Sequence, residues 1–369
     1  CITSAWKTKI SSSITSEAEV HRTSTTKQAL LLLATAFFLM ACGESRAENV
    51  SRLSGETMGT FWNVSIAAEL DDAAKNTLKQ RIESELEAVN DSMSTYRGTS
   101  ELMLINHSRD TSPQAVSDGL RRVLAKALEI SKESEGVYDI TVGPLVNLWG
   151  FGPEKRQDKP SDAEIAAALQ HVGYHKLQLS AEGLSKSDPE IFIDLSSIAK
   201  GYGVDVVAET IHAAGYPNYL VEIGGEIRSK GNKYGAPWRV GIERPEAGLV
   251  SGAAVANIIA MNDRLPAMAT SGNYRNYAEK GGEMAYHIID PKDGKSHSSR
   301  LLSATVLAGD CMTADAYATT LMLLGDKKAL AFADAHNLAA ELILAGEGDK
   351  PYLIQRSKAF TQAIQEEQP

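Results

Sequence analysis

Between Tyr219 and Ala260, three runs rich in β-branched and aromatic residues (219–223, 238–242 and 253–260) succeed one another with only turns such as GGEIRSKGNKYG between them. A strand that returns through a short turn pairs antiparallel with its predecessor, because a parallel return needs a crossover of a dozen residues or more. This rules out a strict βαβ alternation and predicts an α+β fold, with mixed, largely antiparallel sheets packed with helices. Runs of the same kind at 60–67, 191–195, 285–289 and 302–307 read as further strands. From Asp71 to Met93 the apolar residues Leu78, Ile82, Leu86, Val89 and Met93 recur every three or four positions, the spacing of one helix face. Similar spacing predicts helices over 118–133, 161–171, 198–214, 313–324 and 327–336, with Gly136, Gly215 and Gly325 where C-caps belong.

Residues 28–41, QALLLLATAFFLMA, are almost wholly apolar and follow Arg22 and Lys27. The run falls short of the ~20 residues of a spanning helix, so it reads as a secretion signal. Leu39, Ala41 and Cys42 resemble a bacterial lipobox, in which the Cys takes lipid and becomes the new N-terminus; an ordinary signal peptide cleaved nearby is the alternative. The lipobox reading divides the chain into a lipoprotein signal peptide (1–41), lipidated Cys42 with a flexible tether (42–53), a folded domain of one or two lobes (54–350) and a C-terminal tail (351–369). It places the protein in the bacterial cell envelope, anchored to the membrane at Cys42 and facing the periplasm. Without residues 1–41 the chain keeps 328 of its 369 residues, with 33 basic and 45 acidic side chains, a net charge of −12. A polyanion would be repelled, so no nucleic-acid partner is expected. Cys311 then stands alone and no internal disulfide can form.

Nucleotide and hydrolase signatures are missing: no GxGxxG after a strand, no GxxxxGK[ST], no GxSxG and no HExxH. Glycine and polar clusters gather instead at predicted strand ends, where sites are usually built. In GDCMTADAYAT (309–319), Asp315 and Thr319 stand four residues apart, so on a helix both oxygens face one way. A carboxylate and a hydroxyl near a helix start suit a hard cation such as Mg²⁺ held against a phosphate, although solvated or capping roles fit the same pair. In DLSSIAKGYG (194–203) a strand end runs into a helix start, where free N–H groups, Ser hydroxyls and Lys200 could serve a pyrophosphate. Simple N-capping by Ser196 or Ser197 explains those residues equally well. Met58 beside Gly59 could lie against a flat ring or in a core. Tyr96 offers an aromatic face at the end of the long helix, YDITVGP (138–144) turns sharply, and EIGGE (222–226) is a tight turn or a close backbone approach. His287 could act as a general base, since imidazole titrates near neutral pH, or be structural.

Taken in order, MGTFW, STYRGTSEL, YDITVGPLVNLWGFG, DLSSIAKGYGVD, EIGGEI, ATSGNYRN, HIIDPKDG and CMTADAYAT resemble the ApbE family of FAD:protein FMN transferases, over about 54–344. The resemblance implies an ApbE-like fold and a Mg²⁺-dependent transfer of the FMN half of FAD, the substrate, onto a Thr or Ser hydroxyl of a partner protein, with release of AMP. It implies Mg²⁺ ligands at Asp315, Thr319 and the carbonyl of Ala199, and His287 as base. Flavin and adenine contacts would fall on Met58, Tyr96, Val137, Tyr138, Asp139, Ser196, Lys200 or Tyr202, and Ile289. Acceptors would be subunits of membrane redox complexes such as the sodium-pumping NADH:quinone oxidoreductase. An FAD pyrophosphatase yielding free FMN and AMP, or a flavin-binding lipoprotein without chemistry, would use much the same residues.

Overall fold

The computed structural model describes residues 49–365 apart from Glu154, 245–254, 274–276, 281–282, Ser298 and 347–350. The lipobox segment with Cys42, and Tyr274 and Arg275 of the ATSGNYRN motif, lie outside the described residues. In chain order the first half comprises β1 (Ser51–Thr57), β2 (Thr60–Ile66), α1 (Asp72–Met93), α2 (Glu101–His107), α3 (Asp118–Glu133), α4 (Gly143–Leu148), α5 (Asp162–Leu169), β3 (Leu177–Leu179), β4 (Leu184–Lys186) and α6 (Ala199–Ala213). Then come β5 (Tyr219–Ile223), β6 (Glu226–Lys230), β7 (Asn232–Lys233), β8 (Ala236–Pro237), β9 (Arg239–Glu243), β10 (Val255–Ala260), β11 (Ala267–Gly272), β12 (Tyr277–Lys280) and β13 (Glu283–Tyr286). The chain closes with β14 (Leu301–Ala308), α7 (Cys311–Ala335), β15 (Ala339–Ala345), β16 (Tyr352–Arg356) and α8 (Lys358–Gln365).

Eight strands form one sheet in the order β1-β2-β5-β6-β11-β14-β15-β16, and every neighbouring pair is antiparallel, as the turn-linked runs require. Side chains alternate across it. One face presents Val221, Ile223, Ala269, Ala304, Val306 and Leu342 to cores shared with α1, α3, α6 and α7. The other presents Ile227, Met268, Leu307 and Ile343 to the β9–β10 hairpin and Phe360 of α8. The α1 stripe is buried as its spacing requires. Gly325, at φ 69° and ψ −177°, breaks α7 between the two helices expected there.

Four segments differ from the sequence reading. Residues 51–53 are not tether but the start of β1: Leu53 is buried and the Ser51 hydroxyl accepts the Leu70 N–H at 2.9 Å. Residues 352–365 are not a tail, since β16 pairs with β15 and Phe360 is fully buried. Ile191, Ile193 and Leu195 are buried, with Asp194 between the last two buried as well, and no strand forms; Ile193 trades both backbone hydrogen bonds with the Asn106 side chain instead (2.8 and 2.9 Å). Of 285–289, only the first two residues belong to β13.

Candidate active site

The start of α6 faces the first turns of α7, and glycine lets them meet. A Cβ on Gly201 would lie 2.4 Å from the Cys311 carbonyl oxygen and 2.9 Å from Asp315 Cβ, so no larger residue fits there. The helix has no side-chain cap of its own: Ile198 holds the N-cap position, the Ser197 hydroxyl donates to the Tyr138 hydroxyl at 3.0 Å, and Ser196 is exposed. The capping alternative for the two serines therefore does not hold. One orphan N–H of the first turn, that of Gly201, donates instead to Asp315 Oδ2 at 3.0 Å, across from the neighbouring helix.

Asp315 is 2 % exposed, and its Oδ1 faces Lys200 Nζ at 3.7 Å. Lys200 is closer to a residue without an assigned role, Glu226 Oε1, at 2.8 Å. Gly224 and Gly225, at φ 63° and 109°, turn β5 tightly into β6 and place Glu226 at the first position of that strand, where it is buried. Burial pushes Glu226 up to about 7, helped by the Asp315 charge and opposed by Lys200. Asp315 is likewise raised by burial, with Lys200 and the Gly201 N–H opposing. For Lys200, burial alone would lower the pKa, but the two facing carboxylates outweigh it and the net shift is upward. Farther along the same helices, Asp205 accepts the N–H groups of Cys311 and Met312 (3.0 and 2.9 Å) and Arg228 Nη1 at 2.7 Å, clamping α6 to the start of α7. Thr319, one turn beyond Asp315, has its hydroxyl 3.1 Å from that of Ser271 on β11.

These groups fit a hard divalent cation. The expected ligands are carboxylate at Asp315, hydroxyl at Thr319 and backbone carbonyl at Ala199, the oxygen set that Mg²⁺ takes. Two buried carboxylates share one lysine, and Glu226 Oε2 is buried without any hydrogen-bond partner. Such a cluster lacks positive charge.

The other expected contacts spread outward. Met58 and Gly59 form the two-residue β1–β2 turn, both at positive φ, and Met58 lies on α6, where a Cβ on Gly203 would meet its methyl at 2.9 Å. Tyr138 is buried against the Ser197 hydroxyl. Val137 is half-buried beside it. Asp139 spends its carboxylate on structure: it accepts from Thr141 N and Oγ1 and from Tyr174 N at 2.6–2.8 Å. Tyr96 is exposed, and its phenol is raised by partial burial and by the charge of Asp194, the residue that leads into SSIAKG. Tyr202 points the other way from Lys200: its hydroxyl abuts Gly119 on α3 and Arg122 lies over its ring at 5.9 Å. Ile289 is buried with Leu145 and Trp149, and the Trp149 indole donates to the Gly294 carbonyl at 2.8 Å, fastening the HIIDPKDG loop to α4. His287 is half-buried, one residue past β13.

The family model for ApbE matches residues 58–343. The chain belongs to the ApbE family. The ApbE match runs from the Met58 turn into β15 and so contains every site residue named above. A FAD:protein FMN transferase of Vibrio cholerae serotype O1 is 45 % identical over 334 residues, covering 90 % of this chain and 98 % of that one. The Haemophilus influenzae FAD:protein FMN transferase is 42 % identical and covers 90 % and 96 %. Among solved ApbE structures, the V. cholerae flavin transferase superposes with a TM-score of 0.75 at 42 % identity, covering 85 % of this chain and 99 % of that one. The apo flavinyl transferase of Pseudomonas stutzeri also gives 0.75, at 33 % identity and 86 % and 97 % coverage. The antiparallel α+β architecture is thus that of the family.

Proposed function

We propose that this chain is a Mg²⁺-dependent FAD:protein FMN transferase, which moves the FMN half of FAD onto a Thr or Ser hydroxyl of a partner protein and releases AMP. The observation that carries the reading is the buried Lys200–Glu226–Asp315 cluster at the start of α6, short of positive charge and lined by oxygen donors, in a chain so similar to proteins named for this activity. Asp315, Thr319 and the Ala199 carbonyl would hold Mg²⁺, which when bound supplies charge neutralisation to the pyrophosphate. Lys200 adds a second positive charge beside it. Met58, Tyr96 and the backbone of 137–139 line the approach and orient the flavin and adenine rings. His287 takes the proton of the acceptor hydroxyl as that oxygen bonds to the flavin-side phosphorus, the bond from this phosphorus to the bridging oxygen breaks, and AMP leaves with the bonding pair. The acceptor on this reading is a membrane redox subunit on the periplasmic side, reached by an enzyme tethered through lipid at Cys42.

The test is intact-mass spectrometry of a candidate acceptor domain incubated with the protein, FAD and Mg²⁺, with free FMN and AMP assayed in parallel. A mass gain of one FMN with AMP released is the expected result. Free FMN and AMP beside an unmodified acceptor would support the pyrophosphatase, and absence of FAD turnover would overturn the enzyme reading.

A further inference from the structure

We propose that Glu226 is a positioning residue that holds Lys200 away from Asp315, leaving the Asp315 carboxylate available to a divalent cation. The inference rests on the metal reading above and adds to it the role of the EIGGEI turn, which that reading leaves without one. Among the described residues Lys200 is the cation facing both buried carboxylates, and an ammonium with three donors would ordinarily sit between them. Here it does not: its distance to Glu226 Oε1 is 2.8 Å, a hydrogen bond, while Asp315 Oδ1 is at 3.7 Å, outside hydrogen-bond reach. Glu226 Oε2 is buried without a hydrogen-bond partner, so the same carboxylate holds a second acceptor in reserve for the ammonium. The Asp315 oxygen that does have a donor is Oδ2, which accepts the Gly201 N–H and is fixed in place by it. A lysine seated on Asp315 would compete with a metal for that carboxylate; a lysine seated on Glu226 stands beside the metal, where a bound anion would need it. The glycine turn serves this by bringing Glu226 to the sheet end that α6 overlies, since both glycines adopt backbone conformations closed to most residues.

The experiment measures Mn²⁺ binding to the full protein without FAD, by electron paramagnetic resonance, for the wild type, Glu226→Gln, Lys200→Met and the double variant, with Asp315→Ala as the site control and thermal melting to confirm folding. Glu226→Gln frees the lysine to move onto Asp315 and should weaken Mn²⁺ roughly tenfold, the equivalent of one hydrogen bond to a charged group. Lys200→Met removes the competitor and should tighten binding. The double variant should match Lys200→Met, because Glu226 acts only through the lysine. A Glu226→Gln protein that binds as the wild type does, or that weakens binding equally with Lys200 absent, overturns the proposal; the second outcome would make Glu226 a direct ligand or a purely structural residue. Glu226→Asp, which keeps the charge but shortens the reach, should follow Glu226→Gln, and binding like wild type would also count against positioning. If the wild type binds Mn²⁺ no better than Asp315→Ala, the metal reading itself fails, which is distinguishable from a wild type that binds while the variants break the pattern.

Discussion

At Gly201 two effects of opposite sign meet on one methyl group. In a helix interior Ala is preferred to Gly by about 1 kcal/mol, so propensity alone makes Gly201→Ala a stabilising change. The contacts say otherwise, because the added Cβ would lie 2.4 Å from the Cys311 oxygen, 2.7 Å from the Cys311 carbonyl carbon and 2.9 Å from Asp315 Cβ. A flexible side-chain end could turn aside, but Cys311 begins α7 and its N–H is held by Asp205. Reaching even the 3.0 Å that real Cβ atoms respect requires α6 and α7 to part by about 0.6 Å, the difference between 3.0 and 2.4. Overpacking of this kind costs about 1–3 kcal/mol. The same movement stretches the 3.0 Å bond from Gly201 N–H to Asp315, and losing a hydrogen bond to a charged group costs about 1.5–3 kcal/mol. After the helix gain is subtracted, a net loss of about 1.5–5 kcal/mol is expected, read as a lower urea midpoint at unchanged slope. Gly203→Ala is the matched control: its nearest neighbour is the mobile methyl of Met58 at 2.9 Å, followed by Ile223 Cδ1 at 3.5 Å, so its midpoint should stay near that of the wild type. A Gly201→Ala midpoint at or above the wild-type value would refute the reasoning.

Asp315→Ala should abolish the Mg²⁺ dependence of FAD turnover, and a Mg²⁺ titration identical to the wild type would remove Asp315 from the site. His287→Ala should lower FMN transfer by about 100-fold or more while FAD affinity by fluorescence titration stays near wild type, as expected for loss of a general base; wild-type transfer would end that assignment. Asp205 is raised from 3.8 to about 6, by burial above all and against the pull of Arg228, so its contribution to folding is fully present below pH 3.8 and is lost as the pH rises through 6. The stability difference between wild type and Asp205→Asn should therefore change across pH 4–6, and a flat difference in urea melts over that window would contradict the shift. Phe360→Ala should cost about 3–5 kcal/mol by emptying a fully buried ring site, and an unchanged midpoint would return residues after 350 to the status of a tail.

Where the sequence was legible, local chemistry and global packing asked for the same thing. The stripe from Leu78 to Met93 names the buried face of α1 directly, and the glycine turn at 224–225 closes a hairpin because both residues need positive φ. Gly325 ends one helix and lets another begin for the same reason. Failures came where burial and backbone pairing part company. Ile191, Ile193 and Leu195 alternate as a strand does, but alternation reports which side chains are buried, whereas a strand also needs a neighbouring backbone, and Asn106 supplied those hydrogen bonds from a helix. β1 has no counterpart in the expected strands, because its first buried residue is Ser51, whose hydroxyl is satisfied by Leu70. α8 does carry a helical face in Ala359, Phe360, Ala363 and Ile364, but its eight residues are a short run beside the polar chain end.

The site divides along the same line. Asp315 and Thr319 could be paired from spacing alone, since i and i+4 share a helix face whatever else the chain does. Glu226 could not, because nothing in EIGGEI says that the acid after the glycines is buried rather than solvated. Its burial follows from β6 lying inside the sheet between β5 and β11, and its partner comes from the start of α6. Charge balance is a property of the assembled fold: a carboxylate enters a core only with a compensating group, and that group is commonly remote in sequence. Two acids buried with one lysine therefore carry information that no linear motif holds. They mark where the chain tolerates an excess of negative charge, and such an excess, close to the paired hydroxyls of Ser271 and Thr319, is suited to a cation and the phosphates it accompanies.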